Sequence, residues 1–276
     1  MRDDTGKRAP RAPDSMDGVQ GRTIIAFEQP LNERMRILMR LEHLFQQSRF
    51  AIDGDSEWHS RLALGTLVEI LDILTRGDVK SELMKELDRV GQMLHRLEEK
   101  PGVDTDRLHH YINECDRLLD RLREHKGQLG ASLRQDELLS ALSQRSGIAG
   151  GTCAFDLPGY HYWLHLPAQS RRQALEDWFG VLRAVQEATD LILQLVRESA
   201  TPRSQVARDG VYQRNLDRNT PYQMVRVELP EGSPWFAEIS GSKHFVTIRF
   251  LEQPSTADRA AQISTDVEFS LRCCML

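Results

Sequence analysis

The stretch CAFDLPGYHYWLHLP, Cys153 to Pro167, holds a thiol, a carboxylate, two histidines and a run of aromatic rings. His161 and His165 are four residues apart, so on a helix they would share one face. Zinc hydrolases hold their metal with that spacing, but they place a general-base Glu directly after the first histidine. Here Tyr162 follows His161, and only Cys153 and Asp156 are near enough in sequence to add a ligand to the three or four that zinc needs. A metal-dependent hydrolase using His161, His165 and Cys153 is the alternative reading. The leading one is structural: Trp163, Leu164 and Leu166 bury the turn while a histidine faces outward as a polar partner, and neither metal nor cofactor is expected.

Other candidate chemistry is weaker. Cys153 with His161 would make a nucleophile pair only with a lowered thiol pKa and an oriented base, and the sequence indicates neither. Gly150-Gly151 lacks the phosphate-binding GxGxxG and GK[ST] patterns. Cys273-Cys274 reads as packing. The four cysteines fit no disulfide framework, which suggests a reducing cytoplasm.

The basic residues form a more informative pattern. Arg34, Arg36 and Arg40 lie beside one apolar stripe, Arg134 and Arg145 flank a short helical segment, and Arg171-Arg172 open a long one. Lys243, His244 and Arg249 fall on an expected hairpin. Taken singly, each is a solvated charge. If several converge, they would hold an acidic partner segment, because guanidinium binds carboxylate in a bidentate manner. The net charge of −5 argues against a nucleic-acid partner. No apolar run is long enough for a membrane helix.

Two periodicities set the frame for these residues. From about Leu31 to Ala200, apolar residues recur at helical spacing. The first stripe is Leu31, Met35, Leu38, Leu41 and Phe45, and the second is Trp58, Leu62, Leu67, Ile70, Leu71 and Leu74. Asp78 caps a third helix that ends at Pro101-Gly102, and Asp104 caps a fourth. A short helix is expected over Gln135–Arg145 and a single long one over Ser170–Ser199. From Thr201 onward, β-forming runs near 211–213, 224–229, 235–239, 245–251 and 267–271 alternate with turn residues. The strand-like Thr23–Glu28 stands alone before the first helix. A lone strand leaves its backbone groups unpaired, so it should join the C-terminal sheet. The expectation is an α+β protein: a disordered leader at 1–22 (Met16 being an alternative start), a strand at 23–30, a mostly α-helical domain at 31–200 and a smaller antiparallel all-β domain at 201–274.

FEQPLNERMRILMRLEHL (Phe27–Leu44), LDILTRGDVKSELMKELDR (Leu71–Arg89), PGVD at Pro101–Asp104, GGTCAFDLPGYHYWLHLP and SGSKHFVTIRF with a terminal Cys-Cys occur in this order. Together they resemble the ZapD family of bacterial cell-division proteins over roughly Ile24–Cys274. The resemblance implies a non-enzymatic cytoplasmic protein at the mid-cell division site. It would be a symmetric dimer joined through its helices that binds the C-terminal tail of FtsZ and cross-links FtsZ filaments into bundles. It also implies tail contacts at Arg40, Arg134 and His161, with Arg36, Lys243 and Arg249 as further basic positions. Glu137 departs from the family, standing where relatives carry a basic residue. On this reading Cys153–Pro167 is a loop and short helix at the junction of the two domains, with His161 facing the peptide groove.

Overall fold

The computed structural model describes residues 23–98 and 100–275. The expected leader and the alternative start at Met16 lie outside the described residues. The chain begins with β1 (Ile24–Pro30). Helices α1 (Glu33–Asp53), α2 (Glu57–Arg76), α3 (Val79–His95) and α4 (Thr105–Glu124) follow. Next come α5 (Ala131–Arg134), α6 (Glu137–Arg145), α7 (Pro158–Leu164), α8 (Ala168–Val181) and α9 (Arg183–Glu198).

The helix starts follow local chemistry. Asn32, Ser56, Asp78, Asp104 and Asp136 each accept the backbone N–H three residues on, capping α1, α2, α3, α4 and α6. The apolar stripes then meet in one core. Met35, Leu41 and Phe45 of α1, Leu64, Leu67 and Ile70 of α2, and Ile192 and Val196 of α9 are all fully buried in it.

The strands are β2 (Arg203–Ala207), β3 (Val211–Asn215), β4 (Tyr222–Pro230), β5 (Trp235–Gly241), β6 (Phe245–Glu252), β7 (Ala261–Gln262) and β8 (Val267–Met275). One antiparallel sheet runs β1-β4-β8-β2. A second runs β3-β6-β5, with β7 also on β6. As expected, the N-terminal strand joins the C-terminal sheet: β1 pairs with β4 from Ile24↔Pro230 to Pro30↔Met224. The sheets enclose a second core around Val225, Val227, Ile248, Phe250 and Phe269. The first sheet is covered on both sides, because Met224 and Cys274 point the other way and are buried with the helices.

The helical-to-β junction is held by charge. Arg197 of α9 binds Glu28 of β1 through two bonds of 2.9 Å and Glu42 of α1 at 2.5 and 2.7 Å. Arg226 on β4 reaches the same Glu28 at 2.7 Å and Glu228 at 2.9 Å, and Ser270 donates to Glu228. Burial alone would raise the Glu28 carboxyl. Its bonds to Arg197 and Arg226 outweigh burial and hold it below the ordinary carboxylate range.

Several expectations are corrected. The single long helix is two, broken at Leu182. Leu182 is fully buried, and the break lets α8 lie on α2 while α9 turns to pack on α1, α3 and α4. Trp58 has core spacing but is 70% exposed, because the first turn of α2 overhangs the core. Strand β2 had no apolar alternation to reveal it. Arg171 is buried, bonding Ser60 Oγ and the Leu164, Leu166 and Asp55 carbonyls, so it clamps the start of α2 to the end of α7. Helix α7 therefore packs on α2 within the helical region, whereas α9 and α1 make the junction with the sheet.

Candidate peptide-binding groove

The expected basic residues separate into three settings. Helix α1 carries Arg36, Arg40 and His43 at steps of four and three, which stack them on one face. With Met39 and Leu44 of the same helix, Pro30 at the end of β1, and Glu69 and Ile73 of α2, they line an open groove of about 360 Å³. Apolar groups make most of its floor and cations its rim.

The cations there are free to bind. Arg36 has only an exposed contact with Glu33 at 3.2 Å. Arg40 is exposed and has no hydrogen bond or ion pair among the described residues. Arg34 behaves differently. It binds Glu82 at 2.7 Å and the fully buried Glu86 at 2.6 Å, fastening α1 to α3. The tip of the β5–β6 hairpin approaches the same end of α1: Gly241 is so close to Leu31 that an added Cβ would meet Leu31 Cδ2 at 2.9 Å. Lys243, two residues beyond, is exposed. Arg249 lies farther down β6 and is already paired with Glu238 at 2.5 Å.

Arg134 and His161 lie elsewhere. Arg134 donates to Thr75 Oγ1 at 3.3 Å and Gln128 Oε1 at 3.0 Å. Thr75 and Ile73 are two residues apart on α2, about 200° around the helix, so Arg134 sits on the far side of α2 from the groove. His161 follows Tyr160, whose ring lies 5.1 Å from the Arg61 guanidinium. Arg61 and Thr75 share a side of α2 but are fourteen residues apart, about 21 Å along the helix axis. The structure thus groups Arg36 and Arg40 near the Lys243 hairpin, and leaves Arg134 and His161 separate from them and from each other. Glu137, in the first turn of α6, lines no part of this groove.

His43 was the member of this cluster not singled out from sequence, although Arg36, Arg40 and His43 keep one helical face. Glu69 and Ile73 gave no sequence signal, since only the packing of α2 on α1 brings them there.

Of the residues in the hydrolase alternative, the His161 and His165 rings lie 4.4 Å apart and Cys153 is exposed. His165 Nδ1 donates to the His161 carbonyl at 2.8 Å. Asp156 pairs with Arg145 at 3.1 Å. Among the described residues, no three His, Cys, Asp or Glu side chains are grouped as metal ligands. Burial pushes the Cys274 thiol up to about 12, with Glu28 and Cys273 adding to the shift, and burial raises Cys273 as well. Both favour the thiol over the thiolate that metals and electrophiles need.

No described helix is long and apolar enough to cross a membrane. The family model described as ZapD, cell division protein, matches residues 39–249. A cell division protein ZapD from Methylococcus capsulatus is 44% identical over 91% of this chain and 98% of its own length. Relatives of the same name from Chromobacterium violaceum and Dechloromonas aromatica are 36% and 35% identical, each covering over nine-tenths of both chains. The capped helices, the α1–α2 groove and the two-sheet end are thus those of a cell division protein, and the chain belongs to the ZapD family.

Proposed function

We propose that this protein binds the C-terminal tail of FtsZ in the α1–α2 groove and, as a homodimer, cross-links FtsZ filaments at the division site without catalysing a reaction. The observation that carries the reading is Arg40: an unpaired cation on the rim of an open groove with an apolar floor. Such a groove suits an extended peptide carrying both carboxylates and apolar side chains. Arg36 and Lys243 add positive charge on either side. Arg134, His161 and Arg249 are proposed as outlying contacts for a longer segment that leaves the groove. Two grooves in one dimer would engage two filaments, so bundling follows from valency. The two hydrophobic cores support reading residues 31–200 and 201–274 as two domains.

Fluorescence anisotropy with a labelled FtsZ tail peptide tests this reading, together with co-sedimentation of FtsZ polymers with and without the tail. Binding should be specific for the tail and should weaken as salt rises, because the contacts are only partly buried. Bundling that is unchanged on tail-less FtsZ would refute it.

A further inference from the structure

At one end of the core between the two sheets, cations stand where apolar side chains would be expected. Strand β2 runs into the turn at Asp209-Gly210, and β3 returns from it in the opposite sheet. The two strands meet across the core through Tyr212, whose hydroxyl donates to Gln205 Oε1 at 3.0 Å. Strand residues two apart share a face. Arg203 is two residues before Gln205 and Arg214 two residues after Tyr212. Both therefore stand one step beyond that bond, away from the turn and on the inner face. Their register agrees: Arg203 is opposite Leu271 and Arg214 opposite Val246, and both of these are core residues. Cys273 lies between the two arginines. It is two residues beyond Leu271 on β8, and Arg214 Nη1 is 3.8 Å from its Sγ. Arg214 and Arg203 both act on this thiol, opposing the upward push of burial.

No acid balances these charges. The inner positions at this end read Gln29, Val225 and Cys273 across the first sheet. Across the second they read Gly241, Val246 and Arg214. The acid nearest to Arg214 in the chain, Asp217, is taken by its own turn, accepting from Asn219 N–H at 3.0 Å and Thr220 Oγ1 at 3.2 Å. Neither arginine forms an ion pair among the described residues. The one hydrogen bond of Arg214 goes to a thiol, a weak acceptor that leaves most of its donors unused. Two cations facing each other at the rim of an apolar core repel, and an anion between them reverses the sign of that interaction.

We propose that this end of the sandwich is an anion site that holds a phosphate group between the guanidinium groups of Arg203 and Arg214. A carboxylate is filled by a single guanidinium fork. A tetrahedral phosphate presents oxygens on several sides, so it accepts from two forks on different strands at once. The phosphate can be free in solution or part of a lipid headgroup, since both offer the same oxygens. The site stands on residues outside the α1–α2 groove and does not depend on tail binding there.

Titration calorimetry of the full chain with inorganic phosphate, at ionic strength matched with chloride, tests the proposal. Flotation with phosphatidylglycerol vesicles forms a second arm. The parent should bind saturably in at least one arm. Arg203→Gln and Arg214→Gln should each weaken that binding about tenfold or more. Arg208→Gln, beyond the far end of β2, should leave it unchanged, which separates a site from bulk charge. In chloride alone both site variants should melt no lower than the parent, because each removes a repulsion. Free phosphate binding without flotation assigns the site to a soluble phosphate, and flotation lost in both variants assigns it to a lipid headgroup. Either result supports the site. A parent that binds in neither arm, binding that survives both substitutions, or a glutamate hexapeptide that competes as well as phosphate overturns it.

Discussion

Two arginines, Arg197 and Arg40, show how the same side chain serves two purposes here. Arg197 lies at the junction, with its guanidinium divided between Glu28 and Glu42, and its pKa is raised by those bonds despite the opposing effect of burial. Arg40 lies on an exposed helix face with no acid in contact. The first charge is neutralised by the fold, and the fold depends on it. The second is left unneutralised, so its removal leaves the fold little changed and a partner can use it. Position in the tertiary structure, rather than residue type, separates architecture from recognition.

The sharpest way to break this comparison is Arg197→Ala. It leaves the largely buried Glu42 carboxylate without a cation and Glu28 with Arg226 alone, and breaking such a network costs about 3–5 kcal/mol. Urea denaturation should show that loss, and Glu28→Gln with Glu42→Gln in the same chain should recover part of it. A cost below about 1 kcal/mol would mean that the junction is held by apolar packing at Met224 and Cys274 instead.

Arg40→Glu is the mirror experiment. Charge-assisted contacts contribute about 1–3 kcal/mol when truncated, so tail affinity should fall about tenfold or more. Stability should stay within about 0.5 kcal/mol of the parent, as for most surface substitutions. A destabilised Arg40→Glu would erase the distinction between the two sites.

Acid titration separates the regions further. Because the folded pKa of Glu28 is lowered, its contribution is fully present above the ordinary value of 4.5 and is lost as pH falls through the folded value. Glu28→Gln should therefore flatten the loss of stability between about pH 5 and 3, measured by denaturation at each pH. A parent and variant with parallel acid profiles would show that Glu28 titrates normally.

The smallest effects are expected around the groove. Glu69 is its one acidic wall, so Glu69→Gln should tighten tail binding a few-fold. Arg134→Ala and His161→Ala should each weaken binding only a few-fold, as outlying contacts. A loss as large as that of Arg40→Glu at either position would show that the peptide runs across α2 to its far side.

The helices, their capped starts at Asp78 and Asp104, and the pairing of the first strand with the last sheet were legible in sequence. Each follows from local spacing or from an unpaired backbone that needs a partner. The face shared by Arg36 and Arg40 was equally readable, because three- and four-residue steps align on any helix. Chain spacing could not assign solvent exposure at Trp58, because periodicity reports which face a residue takes and not whether another element covers it. Nor could it find the break at Leu182, where competing packing surfaces decide. It could not separate Arg34, Arg171 and Arg197, whose guanidinium groups the fold engages, from Arg40, which it leaves free, since the acids met by Arg34 and Arg197 and the Ser60 and Asp55 atoms met by Arg171 stand tens of residues away in the chain. Short-range order is set by the backbone and neighbouring side chains. Which charges are satisfied is settled only when distant elements close on one another.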